Sequence, residues 1–204
     1  MENIYITIGR QYGSGGREIG RKAAQALGID YYDKEILAVA AKESGLSHQF
    51  LQNYDEKPTN SFLYSLVMGQ QNMLAGVHGS TVEQMASKAQ RDAVLSVAEK
   101  GSCVIVGRCA DYILRDQPGL IRLFFVADND WRIKYIMGRG EGADEKEAEA
   151  ILKKMDKSRA SYYSFHTDRK WGGAEWNDLC LNTSKLGIDG SVELILKFVQ
   201  SWKQ

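Results

Sequence analysis

The chain has 204 residues, 44% of them apolar and 25% charged, with two prolines and 10% aromatics; this excludes an intrinsically disordered chain and fits a packed globular fold. Lys plus Arg and Asp plus Glu number 26 each, so the basic surplus expected of a protein living on nucleic-acid phosphates is absent, and no nucleic-acid partner is expected. Any anion must therefore be caught by local geometry and not by a global field.

Residues 3–8 form a β-branched run that stops at Gly9 and predicts a first strand. Residues 9–18 follow as a glycine-rich loop. From Arg17 onward, Ile19, Ala23, Ala26 and Leu27 fall on one face of a helix that Gly28 ends. Residues 29–32 read as a second short strand, so the chain opens with a βαβ unit. The stretch 34–100 is too long for one crossover helix and reads as a helical insertion, with helices over 34–44 and 61–68. Within it, 69–80 is rich in Gly, Gln and Asn and is either a cover over a ligand or a plain surface connection. A helix over about 82–100 leads into a buried strand at 103–106. A second buried strand lies at 121–127, and a helix starting near Asp130 carries Trp131, Ile133, Ile136 and Met137. Another helix over about 144–157 carries Ala148, Ile151, Leu152 and Met155, before a strand at 179–181. The last helix places Val192, Ile195, Val199 and Trp202 on one side. Strands alternating with helices predict an α/β fold with a parallel sheet.

No segment reaches the roughly 20 uninterrupted apolar residues of a membrane helix; the longest apolar stretch, 120–127, is broken by Arg122. The N-terminus has no basic flank before a long apolar region, so no signal peptide is expected. Three cysteines without CxxC spacing argue against a disulfide framework and for a reduced, cytoplasmic setting. Cys103 and Cys180 are expected inside strands as small hydrophobes. Cys109 is a candidate reactive thiol without an evident base. His48, His78 and His166 are scattered and suggest no metal cluster.

Gly9, Gly13, Gly15 and Gly16 place four glycines in eight residues between the first strand and the first helix. Such a loop curls closely around a guest and points successive N–H groups inward, with a helix N-terminus adding partial positive charge. A phosphate is the natural guest; the alternative is a turn that only packs helix on strand. The dinucleotide pattern fails, because its third glycine would be Glu18. The triphosphate pattern GxxxxGK[ST] ends with a glycine at Gly15, a lysine where Gly16 stands and a hydroxyl where Arg17 stands. Arg10 and Arg17 can supply the missing positive charge, but a guanidinium cannot replace a hydroxyl on a metal.

Ile6-Thr7-Ile8-Gly9-Arg10-Gln11 with Gly13-Ser14-Gly15-Gly16, then Ile19-Gly20 and Tyr32-Asp33, form the first part of a longer pattern. It continues through Val106-Gly107-Arg108, Asp156-Lys157, Arg159, Tyr162-Tyr163 and Trp171 to Asp178-Leu179-Cys180-Leu181-Asn182-Thr183-Ser184. On these residues the chain resembles the cytidylate kinase-like family, a branch of the P-loop nucleoside monophosphate kinases. The resemblance implies a three-layer fold with a five-stranded parallel sheet flanked by helices, a core of residues 1–33 and 101–204, an acceptor-binding insertion and an arginine-bearing lid over about 139–175. It implies that Arg10, Gln11, Tyr12, Gly13, Ser14, Gly15, Gly16 and Arg17 hold the phosphates of ATP. Gly107-Arg108 falls where the family has Gly-Arg-Asp, so Arg108 would contact the acceptor; Cys109 replaces the aspartate and breaks the pattern for cytosine. Asp33 and Asp111 would complete the acceptor side. Lys157 and Arg159, with Arg169, would reach the transferring phosphoryl group, so that Arg17, Arg108, Lys157 and Arg159 form the catalytic set. Magnesium would be held mainly through phosphates and water, with Asp33 or Asp111 nearby and no protein-built metal site. Trp171 and Trp176 are expected to fill core gaps or lid contacts.

Two functions follow from these features. One is an ATP-dependent phosphotransferase acting on a nucleoside monophosphate or similar small acceptor. The other is a nucleotide- or anion-binding regulatory protein without turnover, motivated by the missing lysine and hydroxyl. The retained glycine density and surrounding positive charge favour the kinase. The sequence fixes neither the acceptor nor an oligomeric state.

Overall fold

A computed structural model describes residues 3–53, 55–56 and 82–202. Five strands form one parallel sheet: β1 (Tyr5–Arg10), β2 (Asp30–Tyr32), β3 (Cys103–Val106), β4 (Leu120–Val126) and β5 (Leu179–Asn182), in the order β2-β3-β1-β4-β5. The helices between them are α1 (Gly16–Leu27), α2 (Glu35–Ser44), α3 (His48–Asn53), α4 (Val82–Glu99), the single turn α5 (Ala110–Ile113), α6 (Asn129–Met137), α7 (Glu145–Thr167) and α8 (Thr183–Ser201), with a 3₁₀ turn at Ala174–Trp176.

The central strands are apolar on both faces because both are covered, the usual condition of a parallel sheet. Ile6, Ile8, Val104, Ile121, Leu123 and Phe125 pack beneath α1 and α8, whose Ile19, Ala23, Val192 and Ile195 complete that layer. Tyr5, Cys103, Ile105 and Leu120 face the other way, against Ile36, Leu37 and Ala40 of α2 and Ala93, Val94 and Val97 of α4. A smaller cluster of Ile136, Ala148 and Leu152 joins α6 to α7. Since β1 pairs with β3 on one side and β4 on the other, the chain leaves its C-terminal end at the point where the winding reverses. That is where ligands enter such sheets.

The expected α/β architecture and all five strands are present, with several local differences. The buried stripe of α1 is Gly16, Ile19, Gly20, Ala23 and Ala24, and Ala26 is exposed. Small residues let this helix lie close to the sheet: a Cβ on Gly20 would come within 2.7 Å of Ile8 Cδ1. The helix expected to end near Lys157 continues to Thr167, because Arg159 and Tyr162 extend its buried side. Asp144 caps its start by accepting the Glu147 N–H at 2.8 Å, and Asp168 ends it at φ +54°. Cys103 is buried as expected but Cys180 is not. It sits on the edge strand β5, on the face opposite to Leu181, which is the residue that enters the core.

The insertion's described part is helical, as α2, α3 and α4. The helix expected over 61–68, the stretch 69–80 and His78 lie outside the described residues. Among the described residues no group of His, Cys, Asp and Glu is placed to hold a metal, and no helix is long and apolar enough to cross a membrane.

Candidate functional site

The loop after β1 is held in place by contacts that leave its inner surface as bare main chain. Gly13 and Gly15 have φ of +76° and +77°, the left-handed region that side chains disfavour. A Cβ on Gly15 would also lie 2.4 Å from Ile188 Cδ1. The loop is fastened from outside. The Gln11 N–H donates to the Phe125 carbonyl at 2.9 Å, and its side-chain Oε1 accepts from the Ala127 N–H at 3.1 Å. Buried Ser14 donates through Oγ to the Gln11 carbonyl at 2.9 Å, and its own carbonyl accepts from Thr183 Oγ1 at 2.8 Å. The Tyr12 N–H donates to Asp156 at 2.7 Å, and its carbonyl accepts from Arg132 Nε at 2.7 Å.

What this fastening does not use is the row of N–H groups facing inward. Those of Gly13, Gly15, Gly16 and Arg17 have no hydrogen-bond partner among the described residues, and no side chain caps α1. They open into a cleft of about 330 Å³ lined by residues 10–17, Tyr135, Arg139 and Arg159. Unpartnered amides at a helix start carry partial positive charge, so the electrostatics of this cleft favour an anion. Arg17 lines it too, with its Nε paired to Asp33 at 2.7 Å.

A second cleft, of about 480 Å³, lies under the C-terminal ends of β1, β3 and β4. It is walled by Phe124, Tyr162, Tyr163 and Trp171, with Arg10, Glu56, Arg108, Asp111, Arg159 and Asn177 as its polar groups. Gly107, Arg108 and Cys109 take φ of +79°, +54° and +54° in succession. This left-handed turn drives the Arg108 side chain inward, where it is 1% exposed and pairs with Asp33 at 3.2 Å and Asp55 at 3.0 Å. The Tyr163 hydroxyl donates to Asp111 at 2.6 Å, and burial pushes the Asp111 carboxyl above its ordinary value.

Between the two clefts lies a knot of charge. Arg10 forks onto Glu56 at 2.6 and 3.1 Å, Arg159 Nε lies 3.3 Å from the same carboxylate, and the Arg108 N–H donates to it at 3.3 Å. Arg159 also donates to the Arg10 carbonyl at 3.1 Å. Burial would raise the Glu56 carboxyl, but the guanidiniums of Arg10, Arg159 and Arg108 prevail and hold it well below the carboxylate range. Burial, and then repulsion from Arg10, lower the Arg159 guanidinium to about 10. Arg108 moves the other way: burial would lower it, but Asp55, Glu56 and Asp33 together hold it above its ordinary value.

The structure thus gathers Arg10, Arg17, Asp33, Arg108 and Arg159 around the end of β1, with Asp111 in the wall of the second cleft. Lys157 is exposed on α7 and lines neither cleft. Arg169 is held between the rings of Tyr112 and Trp176, 4.9 and 4.2 Å from their centroids. Trp171 stands edge-on to Phe124 at 5.1 Å. Cys109 is buried and burial pushes its thiol well above its ordinary value, the opposite of the shift that activates a thiolate. Sequence reading missed Asp55, Glu56, Arg132 and Arg139. Their common signal, charged residues beside a glycine loop only after folding, is not local in the sequence.

A parallel sheet in the order 2-3-1-4-5 with an amide-lined loop after its first strand defines the P-loop kinase fold. Shikimate kinases share it at low identity. The one from Bacteroides thetaiotaomicron is 14% identical over 97% of this chain and 98% of its own, with a TM-score of 0.55. The Acinetobacter baumannii enzyme, solved with shikimate, is 12% identical over 98% and 94%, with a TM-score of 0.51. An uncharacterized protein from Eubacterium ventriosum is 35% identical over 98% of this chain and 100% of its own, with a TM-score of 0.74. A comparison with curated proteins finds no match. Residues 5–185 match the cytidylate kinase-like family, and the chain belongs to it.

Proposed function

We propose that the protein is an ATP-dependent phosphotransferase that moves a phosphoryl group to a nucleoside monophosphate or a similar small anionic acceptor. The observation that carries this reading is that Arg10 and Arg159 line both clefts. Phosphoryl transfer needs donor and acceptor in line, with cations over the oxygens of the group in flight. Two buried guanidiniums shared by an amide-lined cleft and a neighbouring aromatic-walled one meet that need.

In this reading the unpartnered N–H groups of Gly13, Gly15, Gly16 and Arg17 hold the ATP polyphosphate, and Gln11, Tyr12 and Ser14 fix the loop's shape. Arg17 supplies the charge that a lysine gives elsewhere. Arg108, set by Asp33 and Asp55, faces the acceptor, while Asp111 offers an acceptor group for a hydroxyl or amine on it. The segment 139–175 acts as the lid, whose Arg159 lines both clefts and whose Lys157 approaches on closure. Closure excludes water, the competing acceptor.

Among the described residues no group of side chains is placed to build a magnesium site. No hydroxyl stands at position 17, and Asp33 is committed to Arg17 and Arg108. The ion would be carried by phosphates and water, and no step is assigned to it. A buried Cys109 in place of the family's aspartate leaves no carboxylate for cytosine there. A cytoplasmic setting agrees with three unpaired thiols.

The test is ADP release with Mg²⁺ and ATP across a panel of nucleoside monophosphates, with stimulation by at least one acceptor expected. ATP bound tightly with no ADP formed for any acceptor favours a second reading, a regulatory nucleotide-binding protein. The observation behind that alternative is the substitution of the loop's lysine and hydroxyl by Gly16 and Arg17.

A further inference from the structure

Glu56 was not singled out by the sequence, yet its carboxylate is the point on which the two clefts converge. Arg10, Arg159 and the Arg108 N–H all reach it. A Cβ on Gly107 would lie 1.9 Å from its Oε1, so the turn after β3 is cut away to admit it. Its backbone is held at φ +48°. Of the four non-glycine described residues with positive φ, three are Glu56, Arg108 and Cys109; such strain persists where the surroundings enforce it, often at ligand clamps.

We propose that the Glu56 carboxylate is an internal stand-in for a tetrahedral dianion, and that the acceptor's phosphate takes its place on Arg10, Arg159 and the Arg108 N–H. The charge balance selects the class of ligand. Arg10, Arg17, Arg108 and Arg159 face Asp33, Asp55 and Glu56, which leaves 4 − 3 = +1 across a cluster that is buried except at Arg17, 36% exposed. Exchanging the monoanionic side chain for a dianion gives 4 − 2 − 2 = 0, whereas a monoanion would only restore the surplus. The donors have capacity to spare: the buried Nε of Arg10 makes no hydrogen bond, and the Nε of Arg159 meets Glu56 only as an ion pair at 3.3 Å. The depressed Arg159 guanidinium points the same way, since a cation destabilised by its neighbours gains most from a second negative charge. Glu56 is not placed to act as a base, because the guanidiniums that hold it keep it ionised and weakly basic.

The inference rests on the proposed function only for the identity of the arriving phosphate; the exchange itself does not require turnover. Calorimetric titration of the wild type and Glu56→Gln with sulfate, at constant ionic strength set by chloride, tests it. The loop's amides are common to both proteins, so the difference reports the arginine cluster. Glu56→Gln is expected to bind sulfate at least ~10-fold more tightly, and its melting temperature is expected to climb more steeply with sulfate. Equal or weaker binding by Glu56→Gln would mean that Glu56 only holds the arginines in position, and overturns the proposal. If Glu56→Gln does not fold, Glu56→Asp keeps the charge on a shorter arm and is expected to bind sulfate ~3-fold more tightly than wild type; no change there is equally fatal. A nucleoside monophosphate should tighten with sulfate while its parent nucleoside does not, and a nucleoside that tightens equally overturns the assignment to phosphate. Tighter sulfate binding without ADP formation leaves the exchange standing and removes the kinase reading. ADP formation with unchanged sulfate affinity does the reverse.

Discussion

The glycine loop and the arginine cluster bind charge in opposite ways. The loop is shaped by glycines and secured by neutral or outward contacts, so its inward N–H groups keep their capacity for an anion. The cluster, a few residues away, consists of full charges that have already found partners within the chain. A surface of main-chain dipoles can wait unpaired at modest cost, but buried guanidiniums cannot. One half of the site therefore keeps its polar groups open, and the other has its charges paired within the chain.

The comparison breaks most severely if the cluster loses a cation. Arg10→Met leaves Glu56 buried with its closest partner gone. Chemical denaturation should show a loss of about 3 kcal/mol, and turnover should fall at least ~100-fold. Next in size is Gly107→Ala, whose Cβ would enter the space of Glu56 and Arg10 at φ +79°. A loss of about 2 kcal/mol is expected, and it should shrink in a background that also carries Glu56→Ala. A change of loop charge should act on binding more than on folding. Arg17→Ala removes a side chain 36% exposed, so stability should move by less than about 0.5 kcal/mol while ATP affinity falls ~10-fold. Unchanged affinity would remove Arg17 as the substitute for the missing lysine.

The last expectation is a pH signature. The Glu56 carboxyl is held below its ordinary 4.5, so its contribution is fully present above that value and is lost as pH falls through the folded one. Denaturation midpoints of wild type and Glu56→Gln should therefore converge from about pH 5 downward. A gap that stays constant with pH would mean the ion pairs do not set the difference.

The strands and the loop were legible because their signals are local: β-branched runs, spaced glycines and a helix stop. The second half of the site was legible only in pieces. Arg108 and Asp33 followed from family resemblance, but Asp55 and Glu56 lie in a polar stretch with no periodicity, where carboxylates ordinarily read as solvated. Arg132, 4% exposed, sits on a helix whose apolar residues drew attention elsewhere. The length of α7 was underestimated because Arg159 and Tyr162 bury like core residues while counting as polar. Cys180 departs from its expected burial because the parity of an edge strand depends on which face its neighbours cover.

One helix carries a consequence for the whole site. Within a single turn of α7, Asp156 accepts the Tyr12 N–H, Ser158 Oγ donates to the Glu56 carbonyl at 3.0 Å, and Arg159 reaches both Arg10 and Glu56. The glycine loop and the arginine cluster are thus geared to the same axle. A rotation or slide of this helix would register in both at once, and neither could be retuned by substitutions along it without disturbing the other.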